Sequence, residues 1–223
     1  TEDGVARSDY SPFKGAQRAV IINSEGEKMP VECMLGANDM YDIIKFRVGI
    51  TVKKVPALQV AALAPAVGAE VYLLPYSTQK GGNVTRGKVK KVDNIGGDKY
   101  HYYTLDMVLK DKMVSCPVTT AYGKVFGVAQ KSSGQDTASI SYAAGAAFAM
   151  SQNISALALS DPALNAIGIK KGLPEDEDQA LVYLFIASTQ STPEAYAIAL
   201  DDFIKPFPNS ADGYLRRAGN HVF

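Results

Sequence analysis

The sequence predicts a fold in two parts, an all-β part of barrel or meander type followed by a small α-helical part. From about residue 16 to 130, short runs rich in Val, Ile and Tyr alternate with Gly, Asn, Asp and Pro, a pattern typical of strands joined by turns. From about residue 138 this alternation stops, and helix start signals with apolar residues at helical spacing replace it. The 223 residues suffice for one mid-sized domain and a small second one.

Seven segments of the first part have the composition of strands. Glycines between them, such as Gly26, Gly96 and Gly123, provide turn residues that adopt positive φ without strain. The predicted strands cover residues 19–23, 30–35, 43–48, 70–75, 87–92, 100–107 and 125–129.

The second part carries three helix start signals. Pro174, followed by four acidic residues, predicts a helix that begins there, and Thr192 is the predicted N-cap of the next. A third helix is expected to start near 209–212 and to run toward Phe223. The uncharged stretch 137–160 predicts a buried helix and no membrane span, because its apolar residues are mostly alanine among several Ser, Gln and Asn.

Charge and cysteine usage exclude several classes of function. Lys plus Arg equals Asp plus Glu, 23 of each, so no overall field favours nucleic acid as a partner. The local basic cluster is interpreted as the solvated face of a strand, and it consists of Arg86, Lys88, Lys90 and Lys91. Cys33 and Cys116 have no metal-type spacing, and neither a disulfide, a metal nor a cofactor is predicted.

Four segments occur in an order that resembles one known family. Residues 19–48 (AVIINSEGEKMPVECMLGANDMYDIIKFRV), 70–92 (EVYLLPYSTQKGGNVTRGKVKKV), 103–106 (YTLD) and 113–128 (MVSCPVTTAYGKVFGV) are similar to those of bacterial trypsin-like serine peptidases of the high-temperature-requirement type. The resemblance implies a trypsin-like double β-barrel over 1–136, N-terminally incomplete, and helices over 137–223. It also implies a bacterial protein that is periplasmic or secreted.

The nucleophile loop of that family departs from its pattern here. The family has Gly-Asn/Asp-Ser-Gly-Gly-Pro, and with Pro117 aligned to its proline, the serine falls on Val114 and the two glycines on Ser115 and Cys116. Valine cannot attack a carbonyl. The glycines also matter, since an oxyanion hole needs inward-turned N–H groups that residues with a Cβ provide less easily.

The other two triad positions follow from the same resemblance. Asp42 takes the place of the catalytic aspartate, whereas Ser11 takes the place of the histidine. Without an imidazole, a hydroxyl or thiol lacks its usual base near neutral pH. The resemblance therefore implies a degenerate active site with no catalytic residue.

Alternatives remain open for the chemistry. If the loop has lost one residue, Ser115 aligns with the nucleophile, and a Cys116–His101 pair is a second conceivable arrangement. A structural histidine among tyrosines is the simpler interpretation of His101, and a surface position that of His221.

The helical part has a looser resemblance to a tetratricopeptide repeat. Residues 177–210 have the length and helix–turn–helix layout of one repeat, and Tyr214, Ala218 and His221 would begin the next. A generic helical hairpin is the alternative. Because one repeat cannot bury its own face, we expect the chain to continue past Phe223 or the hairpin to lean on the barrel.

Three functions of different classes follow. The first is an inactive pseudo-peptidase whose cleft holds an extended peptide or protein partner while the helices recruit another protein. The second is a working hydrolase with Ser115 or Cys116 as nucleophile. The third is a structural scaffold with a filled cleft, in which Val114 and Phe13 occupy the old substrate channel.

Overall fold

Two β-sheets and a C-terminal group of helices form the part of the chain that the structure, a computed structural model, describes. That part comprises residues 4–23, 25–49, 57–75, 84–97, 99–110, 113–130 and 139–220. His221 lies outside it.

The first sheet is an antiparallel half-barrel. Alternate residues of its central strands point to opposite sides, so Ile44, Phe46 and Val48 enter the core, where the rings of Phe46 and Phe13 lie 5.0 Å apart. Its strand order is β1-β4-β3-β2. The strands are β1 (Val5–Ser8), β2 (Val20–Ile22), β3 (Lys28–Asn38) and β4 (Ile43–Val48).

The second sheet closes into a six-stranded antiparallel barrel. Its strand order is β10-β7-β6-β5-β8-β9, and apolar residues such as Val71, Leu105 and Val118 fill its interior. Closure leaves this sheet without an edge strand. The strands are β5 (Glu70–Leu73), β6 (Thr85–Ile95), β7 (Tyr100–Asp106), β8 (Pro117–Thr120), β9 (Val125–Gln130) and β10 (Ile140–Gly145).

Five helices follow or adjoin the closed barrel. The Asp176 and Thr192 side chains cap α3 and α4 by accepting backbone N–H groups of Gln179 and Ala195. The helices are α1 (Ala146–Ser151), α2 (Pro162–Asn165), α3 (Glu177–Gln190), α4 (Pro193–Ile204) and α5 (Ala211–Gly219). A separate small core joins α3 to α4 and consists of Ala180, Leu184, Leu200 and Phe203.

The helical part rests on the half-barrel through the segment before α3. Met34 of β3 donates its N–H to the Lys170 carbonyl at 2.8 Å and accepts the Gly172 N–H at 2.8 Å. Tyr183 and Ala187 of α3 join the half-barrel core. The core of the half-barrel is therefore completed by α3 and by the segment that leads into it.

The structure confirms the predicted strand at 43–48 and places strands in the other six predicted segments, with shifted ends. β1, β8 and β10 were not predicted. The prediction of a buried helix over 137–160 is wrong, because residues 140–145 pair with both β7 and β9 and only 146–151 form α1. β10 thus completes the barrel beyond residue 136, where the sequence predicts that the barrel part ends.

The sequence predicts that a helix begins at Pro174, and this prediction is wrong. The helix begins at Glu177, because Asp176 supplies the capping side chain. Phe185 lies one residue after buried Leu184, at the helical spacing of the apolar residues of α3, yet it is exposed, whereas Tyr183 and Ala187 are buried.

The surface agrees with the charge analysis. The four residues of the basic cluster on β6 are exposed, as predicted. Cys33 on β3 and Cys116 in the turn before β8 are both buried, and no disulfide joins them. No helix within the described residues is both long enough and apolar enough to cross a membrane.

Candidate functional site

The two sheets meet where the residues after β1 approach the loop before β8. Asp9, Tyr10 and Ser11 follow β1, and Asp42 lies in the turn between β3 and β4. The Tyr10 N–H donates to the Asp42 carbonyl at 3.2 Å, which joins these two segments. Between the two sheets, the Asp9 N–H donates to the Ser115 Oγ at 3.3 Å, and we call the boundary formed by Asp9, Ser11, Asp42 and Ser115 the inter-sheet cleft.

Ser11 and Asp42 form one hydrogen-bonded unit. Asp42 Oδ1 accepts the Ser11 N–H at 2.6 Å and the Ser11 Oγ–H at 2.7 Å. The two residues that the resemblance assigns to the histidine and aspartate positions are therefore brought together. One oxygen of the Asp42 carboxylate is thus engaged by both the N–H and the hydroxyl of this serine.

Ser115 has an unusual backbone conformation. Its φ is 66°, and that of Asp42 is 50°; among the described residues these two alone combine a side chain larger than hydrogen with positive φ. The Ser115 N–H is held by the Ala129 carbonyl at 2.8 Å. Left-handed conformations of residues with a Cβ cost energy and concentrate at functional sites, so the strain marks this cleft. The resemblance assigns a glycine to the Ser115 position.

Asp9 is a buried carboxyl group beside Ser115. It is 1% exposed, and neither carboxyl oxygen has a hydrogen-bond partner among the described residues. Its pKa is raised from 3.8 to about 7, chiefly because burial removes water from the charged form. The Ser115 hydroxyl lowers this pKa in part, and the negative charge of Asp42 raises it.

The other candidate residues make no contact with the Ser11–Asp42 unit among the hydrogen bonds of the described residues. Val114 is half-buried in the turn before β8, while Cys116 faces the core of the closed barrel. His101 lies on β7, opposite β8 in the closed strand order, with its Nδ1 3.2 Å from the Asn94 Oδ1. Phe13 belongs to the half-barrel core, so it does not fill the cleft as the scaffold hypothesis expects.

Sequence reasoning missed Asp9 and Gln130. The buried Gln130 amide donates to the backbone carbonyls of Tyr41 and, at 3.4 Å, of Asp42, so the end of β9 supports the turn that holds Asp42. Asp9 stands in a Ser-Asp-Tyr-Ser-Pro segment, a composition typical of an exposed turn, and it therefore gave no signal. Gln130 is the polar last residue of an otherwise apolar strand, and this position gave only a weak signal of a role in the site.

The arrangement of Asp9 and Ser115 is poorly set up for proton transfer. The Ser115 hydroxyl accepts a backbone N–H, and the Asp9 carboxyl beside it makes no hydrogen bond with which to take a proton from it. The described residues contain no group of three His, Cys, Asp or Glu side chains able to hold a metal ion.

Comparison with known proteins places this geometry in a fold. No protein-family model and no curated protein matches the chain. Among solved structures, the chain is similar to one described as the HtrA-type protease AlgW with decapeptide, with a TM-score of 0.54 and 16% sequence identity. The match covers 67% of this chain and 47% of that chain, so this chain spans about half of its length.

The half-barrel and the closed barrel thus have a structural counterpart in a trypsin-like serine protease. At this level of identity the likeness shows the fold alone. The chain has the trypsin-like serine protease fold, followed by C-terminal helices.

Proposed function

We propose that this protein is a catalytically inactive trypsin-like pseudo-peptidase that binds an extended peptide or protein segment in the cleft between its sheets. The observation that carries the proposal is the Ser11–Asp42 unit. The resemblance assigns these two residues to the positions of the histidine base and its aspartate, and here a serine stands in place of the base. Val114 at the nucleophile position supports the same conclusion, because its side chain has no nucleophilic atom.

Two observations support peptide binding. The similar solved structure is described with a decapeptide, although that description applies to AlgW, of which the match covers less than half. The Ser11 side chain is exposed and Ser115 is half-buried, so the surface where the two sheets meet is accessible to a ligand. Extended peptides bind such folds by adding a strand, which makes affinity depend mainly on backbone hydrogen bonds.

The helices support the second half of the proposal, recruitment of another protein by a tetratricopeptide-like segment. α5 begins at Ala211, 34 residues after α3 begins at Glu177, which is the period of that repeat. The Cβ of any larger residue at Gly213 would approach the Phe203 ring to 2.8 Å, so the glycine permits close packing of α5 on α4. Exposed Phe185 and Leu215 leave apolar surface on α3 and α5.

A working hydrolase is the second candidate, and one observation favours it. Asp9 has a pKa near neutrality, as a general base needs, and its backbone contacts the Ser115 hydroxyl, so a small rotation of its carboxyl group would have to bring it into hydrogen-bond contact with that hydroxyl. Cys116 is a weaker nucleophile candidate, because its side chain packs in the barrel core. A purely structural scaffold is the third candidate and predicts no ligand.

Active-site labelling separates the first two candidates. The whole chain is incubated with a fluorophosphonate and, separately, with a thiol-reactive peptide electrophile, and intact mass is compared with a denatured control. We expect no adduct that depends on the folded state. A stoichiometric folded-state adduct at Ser115 or Cys116 would overturn the proposal in favour of the hydrolase.

Peptide binding separates the first candidate from the scaffold. A library of fluorescent decapeptides is screened by anisotropy, and the best binder is tested against Ser11→Trp, which fills the cleft. We expect loss of binding there and normal binding with Ser188→Trp, a matched exposed serine on α3. Absence of saturable binding across the library, or equal binding by both variants, would contradict a peptide-binding cleft.

A further inference from the structure

A cavity separate from the inter-sheet cleft lies between the half-barrel and the start of α3. Its volume is about 190 Å³, and its apolar walls include Leu35, Ile154 and Leu173. Taking about 30 Å³ for each liquid water molecule, this space equals roughly six waters, so it fits a small chemical group and not a large ligand.

A buried charge lies in this cavity. Lys45 of β4 lines it and is 6% exposed. A lysine this deeply buried costs free energy that an apolar residue of similar length would not, and buried charged groups are a recurring mark of binding sites. Its ammonium donates to Asn153 Oδ1 at 2.6 Å and lies 3.8 Å from the carboxylate of Glu175.

The rim of the cavity presents hydrogen-bond donors. The Lys45 ammonium can only donate, so Asn153 must turn its oxygen toward it and its NH₂ group away. Gln179 likewise accepts the Ala156 N–H through Oε1, which leaves its NH₂ group as a donor. Both side chains line the cavity together with the ammonium, so a ligand there meets one cation and two amide donors.

Glu175 is a weak occupant of this site. Its side chain is 83% exposed, and the 3.8 Å separation from Lys45 is longer than a charge-assisted hydrogen bond. Asp176 also lines the cavity, but its carboxylate is engaged as the N-cap of α3. A ligand that brings its own carboxylate to Lys45 would replace a contact that solvent already screens.

From these contacts we propose that the cavity is a binding site for a small aliphatic carboxylate, with Lys45 as the charge partner, Asn153 and Gln179 as donors, and Leu35, Ile154 and Leu173 around the aliphatic part. The carboxylate comes either from a free short-chain acid or from the C-terminus of a peptide. This site does not depend on the function proposed for the inter-sheet cleft.

The test is an NMR titration of the isotope-labelled whole chain with butyrate, N-acetylvaline and N-acetylvalinamide. We expect saturable shifts at Lys45 and at the rim with the carboxylates and none with the amide, which lacks the charge. Binding of butyrate alone assigns the site to free acids, whereas binding of N-acetylvaline as well assigns it to peptide ends. No saturable shift with either acid, or equal shifts with the amide, would overturn the proposal.

Two variants with opposite expected effects sharpen the test. Lys45→Met removes the charge at similar length and should weaken binding roughly ten- to hundredfold. Glu175→Gln removes the competing carboxylate, leaves Lys45 intact and should strengthen binding by about two- to fivefold. Lys170→Met, at an exposed lysine outside the cavity, is the matched control and should leave the affinity for the carboxylate unchanged.

The second variant keeps the test decisive if the first does not fold. Thermal unfolding verifies each variant before titration. Unchanged affinity in a folded Lys45→Met protein, or weaker binding in Glu175→Gln, would contradict the proposed role of Lys45.

Discussion

Asp9 and Asp42 lie in the same cleft and differ completely in their surroundings. Asp42 receives two hydrogen bonds from Ser11 through one oxygen, whereas Asp9 is buried and neither of its carboxyl oxygens has a partner within the described part of the chain. Burial accordingly raises the pKa of Asp9 to about 7. One carboxylate is therefore engaged as an acceptor, whereas burial keeps the other partly protonated near neutral pH, where an ordinary aspartate is fully ionised.

The largest expected effect concerns Asp9→Asn. Because the folded-state pKa is raised, the contribution of Asp9 to stability is fully present below about pH 4 and is lost as the pH rises through about 7. Asparagine mimics the neutral acid, so at pH 8 the variant should exceed the wild type by up to roughly 4 kcal/mol in free energy of unfolding, at about 1.4 kcal/mol per pKa unit. At pH 4 the two should be equal. Chemical denaturation between pH 4 and 8 measures the difference.

The control for this prediction is Asp39→Asn. Asp39 is exposed and lies three residues before Asp42. We expect its substitution to leave the pH profile unchanged. Parallel profiles for the wild type and Asp9→Asn would show that the folded state does not hold the Asp9 carboxyl away from water.

The second prediction concerns the engaged carboxylate. Asp42→Ala removes the acceptor of both Ser11 hydrogen bonds and places alanine at φ 50°, so it should cost about 2 kcal/mol. Asp42→Asn keeps an acceptor oxygen and tolerates left-handed φ, and it should cost less than about 1 kcal/mol. Urea denaturation at pH 7 compares them. Equal losses in the two variants would mean that the hydrogen bonds to Ser11 contribute nothing measurable.

The third prediction, with the smallest expected effect, distinguishes the energetic cost of the positive φ at Ser115 from the contribution of its hydroxyl group. Ser115→Gly and Ser115→Ala both lose the contact with the Asp9 N–H, but only alanine retains a Cβ at φ 66°. The glycine variant should therefore be more stable by about 1 kcal/mol. Differential scanning calorimetry measures this difference, and an alanine variant as stable as the glycine variant would remove the argument for strain at this position.

Much of the fold could be predicted because local pattern and tertiary role agree. The segment 43–48 alternates residues for two faces, and it forms β4 within those bounds. β10 escaped prediction because its alanines favour helices, and only pairing with β7 and β9 makes Ala143 and Ala144 strand residues. β8 was treated as part of a loop motif, because its four residues become a strand only through pairing with β5 and β9.

The site was predictable only in part. The resemblance placed Ser11 beside Asp42, and the structure brings the two together, whereas the roles of Val114, Ser115 and Cys116 remain predictions. Asp9 could not be found from the sequence, since an aspartate in a turn-like segment is normally exposed. Its neighbour in the fold, Ser115, lies 106 residues away along the chain.

The sequence by itself determined the order of a β part and a helical part and the N-cap at Thr192, whereas it placed the start of α3 at Pro174, three residues before Glu177. The tertiary structure decided which polar groups are buried. Lys45 alternates with the core residues Ile44 and Phe46, a pattern that predicts exposure to solvent, yet the chain leading into α3 covers it. Periodicity specifies which face a side chain occupies, but only packing between distant segments specifies whether that face is in contact with water.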